Sequence, residues 1–158
     1  MIDSSLGKIT RRSALGAAVM PLAVIASARV PDSAVRNAAL ARSYIEAVGR
    51  KEFDRVETML TPEVAFSTPD GADIRGSTKY LAAIRKLAPI LVRNDVKRVF
   101  VDGQEGCIVY DFVTNTPVGA VPSVEWLTFD KGRISAVRLI FHSAPWPRVL
   151  AALKARER

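Results

Sequence analysis

The chain of 158 residues carries one cysteine, one histidine, two tryptophans and three tyrosines. A single Cys107 excludes an internal disulfide. With one Cys and one His142, a zinc site has almost no ligand supply, and no metal site or cofactor is expected. No Gly-rich phosphate loop and no nucleophile-elbow sequence is present, so nucleotide binding and serine-hydrolase chemistry lack their usual signatures. Aromatic residues make up 7% of the chain, and none of them interleaves with a basic stripe, as a nucleic-acid binder would require. The longest apolar run, from Ala14 to Ala26, is shorter than the roughly 20 residues a membrane span needs, and Pro21 interrupts it.

That run does fit an export signal. Lys8, Arg11 and Arg12 precede it, and Ala26-Ser27-Ala28 supplies a small-residue cleavage pattern. The pair Arg11-Arg12 before a Gly/Ala-rich stretch resembles the twin-arginine type. Residues 1–28 are therefore expected to be a signal peptide and the mature protein periplasmic or secreted, with membrane contact only through this segment if it is left uncleaved. The formal net charge of +7 falls to +5 without residues 1–28, which leaves 20 basic against 15 acidic residues. Much of that excess sits in the C-terminal "KARER", which reads as a solvated helix end.

The remaining chain is one domain in length, with about half of its residues apolar. Helical spacing of Ala34, Ala38, Ala41, Ile45 and Val48 predicts a first helix over 33–49, and a second follows over 52–60. A strand over 64–68, a Pro/Gly-rich loop and a helix over 78–88 come next. Strands are then expected near 95–102, 106–114, 121–130 and 133–142. "PWPRVLAALKARER" closes the chain as a helix with Pro147 near its start. Helices followed by a meander give an α+β fold, with N-terminal helices packed on one face of a curved antiparallel sheet around a pocket. The expected domain covers 33–146, and residues 147–158 form a basic C-terminal helix.

Two carboxylates stand in the middle of strands, where desolvation penalises charge. If the hairpin through Asn115 to Ala120 pairs Thr114 with Pro122, Asp111 lies directly opposite Glu125 on one mainly apolar face. Two acids so placed would share a proton. The next hairpin leaves two registers open. A three-residue loop over Asp130-Lys131-Gly132 puts Val137 beside Glu125 and Arg138 on the other face; a two-residue loop places Arg138 opposite Glu125.

"ARSYIEAVGRKEFDRVETMLTPEVAFSTPDGADIRG", followed by "VEWLTFDKGRISAVRLIF", resembles the nuclear transport factor 2-like superfamily. Ketosteroid isomerase, limonene-epoxide hydrolase and SnoaL-like polyketide cyclases share that cone-shaped fold, and the similarity spans roughly residues 35–145. It implies that Tyr44 stands where ketosteroid isomerase has its oxyanion-hole tyrosine and Glu125 where it has its protonated acid. The isomerase base falls near Thr68, a hydroxyl that cannot do that work. Compared with limonene-epoxide hydrolase, Asp111 matches one strand carboxylate, but Val109 replaces the arginine and Leu139 the second acid.

These readings make Tyr44 and Glu125 oxyanion donors and Asp111 a general base, acting on an apolar carbonyl compound as a lyase, isomerase or cyclase. Val109, Leu127, Val137, Leu139 and Phe141, with Thr68 and Trp146, are the expected pocket walls. The alternative is a non-catalytic periplasmic binding protein that holds a hydrophobic ligand in the same cone. His142 reads as a strand-end rim residue and Arg75 as a solvated loop cation. Trp126, Tyr110, Phe112, Ile140 and Ile108 are expected on the opposite, outer face, whose apolar area suggests a homodimer.

Overall fold

The computed structural model describes residues 32–156, so the export segment and its cleavage site lie outside the described residues. The elements run α1 (Asp32–Gly49), α2 (Phe53–Met59), β1 (Leu60–Ser67), β2 (Asp73–Arg75), α3 (Ser77–Arg85), β3 (Leu91–Asp102), β4 (Glu105–Thr114), β5 (Ala120–Asp130), β6 (Arg133–Phe141) and α4 (Trp146–Arg156). The six strands form one curved, open sheet in the order β2-β1-β6-β5-β4-β3. The fold is α+β, and β3 to β6 form the expected meander. The sheet is mixed rather than wholly antiparallel, because β1 returns beside β6 in parallel. Four register shifts, one in the β1/β6 pair, two in β3/β4 and one in β5/β6, supply local bends that a regular ladder lacks.

α1 presents Ala34, Asn37, Ala41, Tyr44, Ile45 and Val48 to the sheet at three- and four-residue intervals. Its one buried amide is satisfied, since Asn37 Nδ2 donates to Gly103 O at 3.0 Å. At its C-terminal end α1 presses directly on β3. A Cβ on Gly49 would stand 2.8 Å from the Asn94 backbone nitrogen, so only glycine permits this approach. Ile45, Leu60, Ile108, Leu127, Ile134 and Val137 are fully or almost fully buried beneath the helices. Each such side chain contributes about 1.5–3 kcal/mol by leaving water.

The C-terminal helix is anchored by its inner face, while its basic last turn, Lys154 to Arg156, is exposed. Val149 and Leu153 pack with Ile90 and Val121 in a second small core. Arg156 donates to Asn115 Oδ1 (2.6 Å), Asn115 O (2.9 Å) and Pro89 O (2.8 Å). This fixes Trp146, at the other end of α4, against Phe141 and Phe112, with ring centroids 5.0 and 6.3 Å apart. Among the described residues, no helix is long and apolar enough to cross a membrane.

Candidate functional site

Two hairpin registers decide what faces the concave side of the sheet. In the β4/β5 hairpin Val113 pairs with Ala120, Asp111 with Pro122 and Ile108 with Glu125. Thr114 tightens this turn by donating its backbone N–H and its hydroxyl to Gly119 O, each at 2.8 Å, so the loop is shorter than expected. The register differs by three residues from the expected one, and an odd difference reverses one strand's faces relative to the other. Asp111 and Glu125 are therefore not a pair. Glu125 points inward and is 5% exposed. Asp111 lies on the convex face, where Lys97 Nζ meets its Oδ2 at 3.0 Å. Val109 shares that outer face, at half-burial.

The β5/β6 hairpin uses the two-residue loop Lys131-Gly132, with φ of 47° and 76°, pairing Asp130 with Arg133. A bulge after Phe129 then shifts the register, so Leu139 sits opposite Glu125 and Arg138 opposite Trp126 on the outer face. Neither loop length alone gives this pairing. The bulge keeps Val137, Leu139 and Phe141 on the inner side.

Between the inner face, α3 and α4 is a cavity of about 70 Å³, room for several water molecules. Its walls are mainly apolar, from Val48, Phe66, Ile84, Leu87, Leu91, Phe112, Val121, Leu139, Phe141 and Trp146. The polar groups reaching it are Tyr80, Asn94, Tyr110, Ser123 and Glu125. Leu127 and Val137 are buried in the core rather than on this wall. Thr68 is remote from it: its hydroxyl bonds Asp70 and accepts Ala72 N–H at 3.1 Å, holding the β1/β2 turn.

All three tyrosines of the chain gather at Glu125. Tyr110 donates its phenol to Glu125 Oε1 at 2.9 Å. Tyr44, buried behind the wall, shares a short hydrogen bond with the Tyr80 hydroxyl. Glu125 Oε2 is buried without a hydrogen-bond partner. Burial raises the Glu125 carboxyl to about 7, against the phenols of Tyr110 and Tyr44, which favour its anion. The three phenols are raised well above their ordinary value, first by burial and then by the Glu125 charge. A carboxyl that titrates near neutrality in an apolar cavity can both accept and return a proton.

The structure thus brings Glu125, Leu139, Phe141 and Trp146 together on the cavity, with Tyr44 buried behind its wall, bonded to Tyr80 and close enough to act on the Glu125 carboxyl. Asp111, Val109 and Thr68 stand elsewhere. Tyr80 and Asn94 were not anticipated, and Tyr110, Phe112 and Ile108, expected on the outer face with Trp126 and Ile140, point inward instead, as one signal in β4 indicates. The alternate residues Ile108, Tyr110 and Phe112 carry more apolar volume than Cys107, Val109 and Asp111, and the bulkier set belongs inside. His142 lines a shallow outer depression with Asp111, Pro122 and Ile140. Arg75 is exposed on β2, paired with Ala65. Among the described residues, no cluster of three or more metal-ligating side chains occurs.

A SnoaL-like domain model matches residues 41–137, more than half of the chain. No curated protein matches it. Among solved structures, a protein from Kribbella flavida DSM 17836 superposes with a TM-score of 0.66 at 28% identity, over 75% of this chain and 96% of its own. A second Kribbella flavida protein, assigned as a ketosteroid isomerase, gives 0.64 at 19% identity, over 71% and 82%. A protein from Xanthomonas campestris pv. campestris, assigned as a polyketide cyclase, gives 0.60 at 18%, over 74% and 98%. The last two likenesses speak to the fold alone.

Proposed function

Since the chain belongs to the SnoaL-like domain family, in the nuclear transport factor 2-like superfamily whose members are isomerases and cyclases, we propose that it binds an apolar carbonyl compound and shifts a proton on it. The observation that carries this reading is Glu125: a buried carboxyl in the lining of an apolar cavity, held at Oε1 by Tyr110 and without a hydrogen-bond partner at Oε2. In its ionised form Oε2 removes a proton from the carbon next to the carbonyl. The C–H pair becomes a C=C bond and the carbonyl π pair moves onto oxygen. The Tyr80 hydroxyl, hydrogen-bonded to Tyr44, donates to that oxyanion. Glu125 then returns its proton to carbon, which completes an isomerisation, or the enolate carbon adds to a second carbonyl of the same molecule, whose π pair moves onto its oxygen and takes the proton from Glu125, which closes a ring. Tyr44 is a positioning residue in this scheme, and Asp111, facing outward, takes no part.

Exchange of α-hydrogens of a small apolar ketone in D2O, followed by NMR, tests the step without knowledge of the natural substrate. The wild-type protein should accelerate exchange, with a rate that rises as Glu125 ionises through an apparent pKa near 7. Glu125→Gln should lower it by roughly 10² to 10⁴. Equal exchange by both proteins would overturn the assignment. A second reading, a binding protein without turnover, is favoured by one fact: Glu125 is the one carboxyl lining the cavity among the described residues. Ketone binding with no exchange would select it.

Export belongs to the same proposal. Arg11-Arg12 and Ala26-Ser27-Ala28 put the mature N-terminus at Arg29 in the periplasm. Replacing both arginines by Lys should retain the precursor in the cytoplasm, and unchanged export would exclude the twin-arginine route.

A further inference from the structure

The cavity holds about 70 Å³, whereas sites that enclose an organic ligand run to roughly 300–1,000 Å³. A ligand of that kind can enter only if one wall moves. The walls are not equally held. α1 buries eight residues. α3 is clasped by Tyr80, which packs on Phe66 with ring centroids 4.8 Å apart and bonds Tyr44 inside the main core. α4 buries only Val149 and Leu153, and both belong to the small second core. The last backbone bond that ties the approach to α4 onto the sheet runs from His142 N–H to Pro122 O at 3.1 Å. Beyond it, among the described residues, the backbone bonds of 143–156 are local, such as Trp146 N–H to Ser143 O at 2.9 Å. The one polar tie from this segment to the rest of the described residues is the Arg156 guanidinium on Asn115 and on Pro89 O.

We propose that α4 is a lid on the cavity, hinged at Ser143-Ala144, closed by Trp146 and latched by Arg156. The inference rests on the cavity being the ligand site, whatever the chemistry of Glu125, and adds the route by which a ligand enters. Ser143 and Ala144 are exposed and lie between the last sheet bond and Pro145, so rotation there moves the helix without breaking a strand ladder. Pro145 and Pro147 have fixed φ and stiffen the start of α4, so the helix swings as one piece. Trp146 lines the cavity against Phe141 and Phe112, and a swing of α4 withdraws its indole and adds that space to the cavity. Leu87, Phe112, Val121 and Phe141 belong both to the cavity wall and to the cluster on which α4 rests. Lifting α4 therefore opens the cavity along the whole of that seam. Elements with so few buried apolar contacts open locally while the rest of a fold stays intact. The hydrogen bonds of the latch are exposed and of modest net strength, which keeps closure reversible.

Hydrogen exchange of the full chain, read amide by amide, measures this opening without any ligand. In the wild type, amides from Leu150 to Arg156 should exchange at least about tenfold faster than those of β4 and β5, because α4 opens without the sheet. Arg156→Ala, at an exposed position, should quicken α4 exchange about tenfold and leave the sheet unchanged. Asn115→Asp turns the latch into an ion pair and should slow α4 exchange about twofold. Entry is followed by stopped-flow fluorescence of phenyl-naphthylamine, a neutral dye too large for the closed cavity that brightens in apolar surroundings. Its association rate should rise and fall with α4 exchange across the three proteins, since only the open fraction admits it. α4 exchange as slow as that of the sheet, or an association rate unmoved while α4 exchange changes, would overturn the lid. Failure of the dye to bind any of the three proteins would overturn it too. Dye entry that follows α4 opening, with no ketone α-exchange, would uphold the lid and remove the proton-transfer reading.

Discussion

Glu125→Gln should make the protein more stable in alkaline solution and remove a pH dependence that the wild type carries. Burial lifts the carboxyl from its ordinary 4.5 to about 7. The native state therefore holds a proton that the unfolded chain releases between those two values. By linkage, stability is fully present below about pH 4.5, falls as pH rises towards 7, and is level above it. Each pH unit in that window costs about 1.4 kcal/mol, so the whole shift amounts to about 3 kcal/mol. Gln keeps the shape and can still accept from Tyr110, but it has no charge to bury. Urea denaturation of both proteins at half-unit steps from pH 4.5 to 8.5 isolates the effect, because every other titrating group is common to the two. The curves should nearly coincide at the acid end and diverge to about 3 kcal/mol at pH 8, a difference on the order of 10 °C in Tm. Parallel curves across the window would refute the reasoning, since a carboxyl with an ordinary pKa contributes no such slope.

Asp111→Asn removes a partly exposed ion pair with Lys97 and should change stability by less than about 1 kcal/mol, with ketone α-exchange unchanged. Loss of exchange in that variant would return Asp111 to the site. Tyr44→Phe leaves the buried Tyr80 hydroxyl without its partner, and should cost about 1–3 kcal/mol in urea denaturation. We also propose a homodimer through the convex face, where Phe100, Trp126 and Ile140 are 57%, 51% and 45% exposed. A stable interface there would bury more than about 1,000 Å². Trp126→Glu should then shift the elution volume to that of a monomer, and an unchanged volume would count against this face.

The architecture was legible because it rests on periodicity. Ala41, Ile45 and Val48 repeat at helical spacing, and "DGQEG" and "DKG" break the strands where the chain turns. β1 and β2 were harder to see: β1 begins as early as Leu60, without a break after α2, and β2 is only three residues long. The site was half legible. Glu125 drew notice as an acid within an apolar strand, and that argument is independent of register. Asp111 drew notice in the same way, but its face depended on the loop from Thr114 to Gly119. Thr114 makes that loop shorter than composition alone suggests, and a shift of three residues turned the expected pair apart. The β5/β6 bulge is equally silent in sequence, yet it decides that Leu139 sits beside Glu125. Tyr80 and Asn94 come from α3 and β3, and only long-range packing brings them to the cavity.

The account depends on one carboxyl that titrates near neutrality. A carboxyl-selective ¹³C NMR titration of the wild-type protein, with the Glu125 resonance assigned by its loss in Glu125→Gln, measures that directly. The account predicts a single Glu125 transition near pH 7. A Glu125 midpoint near its ordinary 4.5 would mean that the side chain meets water, and would contradict both its burial at an apolar cavity and its role as the proton-transferring group.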